Sequence, residues 1–275
     1  MRITLLVDNQ TLVDQYFLAE PAFSAWIESG DTKLMFDTGY SDVFLENARR
    51  LRLEISELDT LVLSHGHSDH TWGLPALAEH LRLNRRRPDR VRLIAHPEAF
   101  YEKGLDGEVY GVNFNIEDYK DVFDVVLTKT AVSLGGGLMY LGEIPRKNEF
   151  EGKLAIGQTR RGQSWEKDYI LDDTGLSYLG KDGLVIISGC SHSGIVNIVE
   201  HAMTLNETRK VIDVVGGLHL QKPTTEQLEG TMRFFESLDL KQLHASHCTD
   251  LASKCRLMQT LPLTEIGSGS VLEYC

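Results

Sequence analysis

The chain has 275 residues, 42% hydrophobic and 25% charged, which is the balance of an ordinary globular protein. That excludes a disordered tail, a collagen-like rod and a coiled coil, and the length suffices for a core without disulfides or a structural metal. The 40 Asp and Glu against 28 Lys and Arg give a formal charge of −12, which argues against non-specific nucleic-acid binding and docking on an anionic membrane.

In chain order, Ile3–Val7, Ala25–Glu28 and Lys33–Phe36 read as strands, with Ser29-Gly30-Asp31 turning between the last two. Met1-Arg2 runs straight into the first strand without a cleavage pattern, and no leader is expected. Val43–Arg52 reads as a helix and Leu61-Val62-Leu63 as a short buried strand. Leu74–Leu83 has the helical spacing Leu74, Leu77, Leu81. An exposed basic loop around Arg85-Arg86-Arg87-Pro88 leads to a strand at Val91–Ala95, and Glu98–Lys103 reads as a short helix. The stretch from about Gly104 to Asp173 reads as irregular. Regular patterning then resumes. Leu184–Ser188 and Val211–Val215 are strands, and Ile195–Leu205 is a helix with Ile195, Ile198, Val199 and Met203 on one face. Thr224–Leu238 is a helix opened by a Thr224-x-x-Gln227 capping box, and Gln242–Ala245 and Ser270–Leu272 are strands. Hairpins followed by alternating strands and helices, with no linker, predict one layered α/β domain over residues 1–275.

No apolar run approaches the roughly 20 residues needed to span a bilayer. The four cysteines, Cys190, Cys248, Cys255 and Cys275, lack CxxC spacing and fit a reducing, cytoplasmic setting.

The segment that carries chemistry is Ser64-His65-Gly66-His67-Ser68-Asp69-His70-Thr71-Trp72-Gly73, between an apolar strand and a helix. Strand-end loops are where α/β proteins build sites. In extended backbone His65 and His67 project to one side. Asp69 and His70, at the turn into the helix, face a second point nearby. Three imidazoles and a carboxylate suit Zn, Mn or Fe rather than Ca or Mg. A polar loop with chance histidines would not crowd four such residues so tightly.

His65-x-His67-x-Asp69-His70 resembles the signature of the metallo-β-lactamase superfamily, and Phe36-Asp37-Thr38-Gly39 resembles its upstream Asp motif. Gly189-Cys190-Ser191-His192-Ser193-Gly194, Gly216-Gly217-Leu218-His219-Leu220 and Ser246-His247-Cys248-Thr249 look like one subgroup. Gly142-Glu143-Ile144-Pro145-Arg146, with Phe150-Glu151, is similar to it too. That subgroup holds predicted metal-dependent hydrolases and the archaeal dihydropterin–ribofuranosylaminobenzene-phosphate synthase.

The resemblance implies an α/β (α+β) αββα four-layer sandwich with two divalent transition-metal ions at one edge, Zn first, with Mn or Fe as alternatives. It implies His65, His67 and His192 around one ion and Asp69, His70 and His247 around the other. His192 and His247 follow predicted strands, as His65 does. Asp37 is expected to orient a ligand histidine; a turn-forming Asp-Thr-Gly is the other reading. The superfamily's usual bridging carboxylate, in a late Gly-Asp pair, has no counterpart at Gly216-Gly217 or Gly189-Cys190. A Cys190 thiolate could bridge or ligate, or Cys190 is a small buried residue under the site. Cys248 falls to packing by alternation.

His219, on a glycine-flanked loop, is set by the implied fold at the same edge for substrate binding or proton transfer, against a loop histidine without a role. His96 is a candidate substrate contact. His244 points away from His247 along a strand and reads as structural, His80 and His201 as solvated, and Trp72 as pocket wall or core. Arg146 is a candidate anion clamp, with Arg160, Arg161 and Lys167 in the same middle segment, which the implied fold lays over the metal edge. The leading expectation is a metal-dependent hydrolase of a small anionic phosphate ester or cyclic ester. Metal-bound hydroxide would attack and Asp69 would orient it. A pterin-condensing transferase with a pyrophosphate leaving group is the alternative, and a non-catalytic ligand-binding protein on the same scaffold is the second. No nucleic-acid, membrane or flavin partner is expected; a homo-oligomer is compatible.

Overall fold

Side-chain alternation along the strands decides the architecture of the computed structural model, which describes residues 1–275. The first half holds β1 (Arg2–Val7), β2 (Ser24–Ser29), β3 (Thr32–Phe36), α1 (Val43–Leu51), β4 (Thr60–Val62), α2 (Ser68–Thr71), α3 (Leu74–Asn84) and β5 (Val91–Ala95). The middle holds β6 (Lys103–Leu105), β7 (Glu108–Val109), β8 (Phe123–Leu127), β9 (Val132–Gly135), β10 (Leu138–Tyr140), β11 (Gln158–Arg161) and β12 (Ser164–Lys167). The last part holds β13 (Gly175–Leu179), β14 (Leu184–Ser188), α4 (Ile195–Leu205), β15 (Val211–Gly217), α5 (Thr225–Glu236), β16 (His244–Ser246), α6 (Leu251–Leu257) and β17 (Val271–Glu273).

Seven strands form one sheet in the order β17-β1-β2-β3-β4-β5-β8, and six form a second, β16-β15-β14-β13-β10-β9. Along β14, Leu184 and Ile186 face α4 and α5, while Val185 and Ile187 face the other sheet. Along β4 and β5, Leu61 and Leu93 face α1 and α3, while Val62 and Ile94 point inward. Two sheets, each apolar on both faces, need helices outside and each other inside. The result is three slabs of core in an αββα four-layer sandwich. Each fully buried Leu, Ile or Val side chain contributes about 1.5–3 kcal/mol against the entropy of ordering it. No helix is long and apolar enough to cross a membrane.

Two readings of the sequence are corrected. Glu98–Lys103 is not a helix: a 3-10 turn spans Pro97–Phe100, and Lys103 opens β6. The stretch from Gly104 to Asp173 is not irregular. It supplies β8 to the first sheet, β9 and β10 to the second, and a four-stranded sheet β12-β11-β6-β7. Those strands are short and partly exposed, so their alternation is too brief to register. At α5 the Thr224 hydroxyl accepts from Gln227 N at 3.1 Å, as a cap should. The Gln227 side chain donates to His219 O at 3.3 Å instead of returning to the cap, tying the helix to the loop after β15.

Candidate metal centre

The parallel strands of both sheets end at one edge of the sandwich. β3 and β4 are parallel, as are β14, β15 and β16. Their carboxyl ends deliver Asp37, His65, Cys190 with His192, His219 and His247 in turn, the usual position for ligands in α/β sheets. Asp37, Ser191, His219 and His247 all have positive φ, between 49° and 62°. Such backbone costs on the order of 1–3 kcal/mol per residue and persists where packing over-determines it. Gly66, between two candidate ligands, has no room for a side chain: a Cβ there would lie 2.1 Å from Ala99 O.

The donors converge in two sets. The rings of His65, His67 and His192 stand 4.6–4.8 Å apart, centroid to centroid, in mutual edge contact. Nε2 of His65, Nε2 of His67 and both ring nitrogens of His192 are buried without a hydrogen-bond partner. Burial and neighbouring imidazoles push His65 and His192 well below the ordinary range, and burial takes His67 to about 4. All three are therefore neutral, with lone pairs to donate. In the second set, Asp69 Oδ2 lies 3.5 Å from His70 Nε2 and 3.4 Å from His247 Nε2, and the two nitrogens are 3.2 Å apart. Burial opposes ionisation of Asp69, but His70 and His247 outweigh it and hold the carboxyl well below its usual range. Burial likewise opposes charge on His70, yet Asp69 and Asp37 take it up to about 10. A cation among these three atoms would replace that proton, which is how metal sites exchange protons for metal. Unpartnered imidazoles beside a carboxylate fit the divalent ions that this resemblance implies.

Further groups hold the donors in place. Asp37 Oδ2 accepts from His70 Nδ1 at 2.7 Å and Ser64 Oγ at 2.7 Å, and Oδ1 accepts from Ser64 N at 2.6 Å. Asn9 Oδ1 sits 2.9 Å from His247 Nδ1. Asp172 Oδ2 accepts from Gly66 N at 2.7 Å, and its other oxygen pairs with buried Lys103 at 2.7 Å. Asp173 Oδ2 accepts from Ser193 N at 2.8 Å and Ser193 Oγ at 2.5 Å, beside His192. One dipeptide between β12 and β13 thus clamps the ligand loops of both sheets. Local periodicity carries no trace of it, nor of Asn9 or Lys103.

The structure brings His65, His67, Asp69, His70, His192 and His247 together, with Cys190 within reach of both sets and His219 beside His192. His67, Asp69, His192, His247, Cys190 and His219 line a cavity of about 570 Å³ that also exposes Lys254 and Ile156, while His65 and His70 lie fully buried behind them. Cys248 is a correction: it is not confined to packing but lines this cavity. Arg146 is another: its guanidinium donates to Gly152 O at 2.6 Å, Tyr169 O at 2.5 Å and Ile170 O at 2.8 Å, so it braces these loops, and it does not line the cavity. His96 is a third. Its Nδ1 accepts from Glu98 N at 3.1 Å and Nε2 lies 3.0 Å from Glu143 Oε2, and it does not line the cavity. Arg160 and Arg161 pair with Glu102 and Glu98. Trp72 donates to Gly111 O at 2.8 Å and stacks on Tyr40 outside the cavity. His244 is buried against Asp213 at 2.7 Å, and His201 is half-buried, 3.1 Å from Leu141 O.

Comparison with known proteins agrees with this geometry. The family model of the metallo-beta-lactamase superfamily matches residues 19–196. The chain is 31% identical, over 94% of each chain, to the uncharacterised protein MJ0448 of Methanocaldococcus jannaschii. It is 30% identical to the 7,8-dihydropterin-6-methyl-4-(beta-D-ribofuranosyl)-aminobenzene-5'-phosphate synthase of the same organism, covering 92% of this chain and 89% of the other. The crystal structure of Tm1679, described as a metal-dependent hydrolase of the beta-lactamase superfamily, superposes with a TM-score of 0.82 at 28% identity, covering 100% of this chain and 99% of that one. The chain belongs to the metallo-beta-lactamase superfamily, in the subgroup that includes the archaeal dihydropterin–ribofuranosylaminobenzene-phosphate synthase.

Proposed function

We propose that the protein is a hydrolase that holds two divalent transition-metal ions, Zn first, one by His65, His67 and His192 and one by Asp69, His70 and His247. The observation that carries this is the convergence of six donors from the ends of β4, β14 and β16, four of them open to one cavity, with Nε2 of His65 and His67 and both ring nitrogens of His192 buried and unpartnered. When bound, such ions make water acidic enough to attack at neutral pH and polarise a phosphoryl or carbonyl oxygen. Asp69 is the carboxylate among the donors. It is ionised and partly open to the cavity, so it can both bind an ion and orient an attacking water. Asp37 and Asn9 fix the ring planes of His70 and His247. Lys254 is the one Lys or Arg lining the cavity and forms no ion pair, which supports a small anionic substrate such as a phosphate ester or cyclic ester. The substrate would enter at a cytoplasmic, single-domain enzyme whose middle segment contributes Ile156 to the rim.

The second reading is a transferase that joins a pterin-methyl pyrophosphate to an arylamine, favoured by the 30% identity to the dihydropterin synthase over 92% of this chain. Metal analysis of untagged protein comes first. About two equivalents per chain, lost from the first set in the His67→Ala, His192→Ala double variant, is the expected result. Unchanged metal content in that variant refutes the ligand assignment. Turnover of phosphodiesters and lactones, against condensation of the pterin pyrophosphate with an arylamine, then separates hydrolase from transferase. Tight metal binding with no turnover in either screen would point to a ligand-binding protein.

A further inference from the structure

The end of β15 is closed to any side chain. A Cβ on Gly216 would lie 1.9 Å from Ser188 O, and one on Gly217 would lie 2.5 Å from Gly189 O and 2.6 Å from Cys248 Sγ. A carboxylate cannot reach the centre from this strand, and the Cys248 sulfur sits where residue 217 would project. Cys190 stands across from it. Cys190 Sγ is 3.7 Å from His219 Nδ1, Cys248 Sγ donates to Cys190 O at 3.2 Å, and His219 N donates to Cys248 Sγ at 3.2 Å. The donor atoms of Cys190, His219 and Cys248 all lie within 4.8 Å of one another, and the same limit groups Cys190 Sγ with His65 and His192 and with His70 and His247. All three residues open on the cavity.

We infer that Cys190, His219 and Cys248 form a soft-donor metal subsite, joined through Cys190 to the two histidine sets, so that the centre binds thiophilic divalent ions through sulfur. This rests on the reading that the histidine sets hold metal. Two sulfurs and one imidazole with the fourth direction open to a cavity match the donor pattern of sulfur-ligated catalytic zinc. Thiolates select Zn, Co, Cd and Fe over Mn and Mg. Each thiol loses its proton to solvent as its metal–sulfur bond forms, with no change of oxidation state. His219 then supplies a donor nitrogen rather than moving protons, and the strained φ of 51° at this residue serves to turn its ring toward the sulfurs.

The test is titration of the demetallated full chain with Co(II) under reducing conditions. Visible ligand-field bands report cobalt on the histidine and aspartate donors, and a near-ultraviolet charge-transfer band reports cobalt on sulfur. The expected result is both bands in the unaltered protein, with loss of the sulfur band and retention of the visible bands in the Cys190→Ser, Cys248→Ser variant. Visible bands without a sulfur band in the unaltered protein overturn the inference and leave the histidine reading standing. No cobalt bands at all would overturn both. A sulfur band that survives in the double variant and vanishes in Cys255→Ser, Cys275→Ser also overturns it. If the double variant does not fold, alkylation of the unaltered protein decides. Zinc should protect Cys190 and Cys248 from iodoacetamide while the exposed Cys255 and Cys275 react unchanged; equal protection of none overturns the inference.

Discussion

Replacing Lys103 with Met tests how the middle segment holds the ligand loop. The Lys103 ammonium lies 2.7 Å from Asp172 Oδ1 and 2.9 Å from Asp168 Oδ2, and all three residues are at most 1% exposed. The remaining oxygens are occupied: Asp172 Oδ2 accepts from Gly66 N and Asp168 Oδ1 from Ile170 N at 2.8 Å. Met fills much of the lysine stem's space but leaves two buried carboxylates without their cation. Removing one partner of a buried ion pair costs about 3–5 kcal/mol, a large share of a total stability of about 5–15 kcal/mol. With a urea slope of about 3 kcal/mol per molar, the unfolding midpoint should fall by about 1–2 M. The loss should depend on pH. Burial pushes Asp172 up, but Lys103 outweighs it and holds the carboxyl below its ordinary value. A depressed folded-state value contributes stability above the unfolded carboxylate pKa of about 3.9 and loses it as pH falls. Without Lys103 that contribution is gone, so the deficit should be full at neutral pH and shrink as pH falls below about 4. Equilibrium urea unfolding of both proteins, demetallated, at several pH values measures it. A deficit under about 1 kcal/mol at neutral pH, or one that does not shrink in acid, would refute the argument.

Asp37→Asn leaves the shape but removes the charged acceptor from His70 Nδ1, and metal affinity should drop about 10- to 100-fold in a chelator competition; unchanged affinity would show that Asp37 only shapes its turn. Gly66→Ala forces a Cβ to 2.1 Å from the Ala99 carbonyl, so backbone must shift. A loss of at least about 1–3 kcal/mol in thermal unfolding should follow, with reduced metal content; a native melting temperature would contradict the close approach. Glu151 caps α4 through Val196 N and Asn197 N, and burial takes its carboxyl up to about 7. The folded chain therefore binds a proton between about pH 4.5 and 7 that the unfolded chain has released, and stability should fall as pH rises through that window. In Glu151→Gln this dependence, on the order of 3 kcal/mol across the window, should flatten; identical pH profiles would refute the burial argument.

Much of the centre is legible in the sequence because the signal is local. His65, His67, Asp69 and His70 fall within six residues, and β5, β14 and α4 match their periodicity almost residue for residue. The supporting groups are not local. Asp37, expected from its motif to orient a ligand, meets His70 from 33 positions away, while Asn9, which no motif marks, meets His247 from 238 away. Such pairs depend on how strands order and where their ends emerge. Arg146 shows the limit from the other side. In sequence a guanidinium in a polar segment suits an anion, but only the structure shows it tied to the carbonyls of Gly152, Tyr169 and Ile170, away from the cavity. Alternation assigned Cys248 to packing, yet a positive φ of 49° at His247 breaks the strand's alternation and turns the sulfur to the cavity. The sequence by itself determined the kind of donors, the layered fold and the main core strands, since hydrophobic period and ligand spacing act within one turn or one strand. Only the tertiary structure decided which loops share the centre, what holds them and which basic side chains are already engaged. Those outcomes follow from strand order and backbone direction at strand exits, and neither is written in any short stretch of the chain.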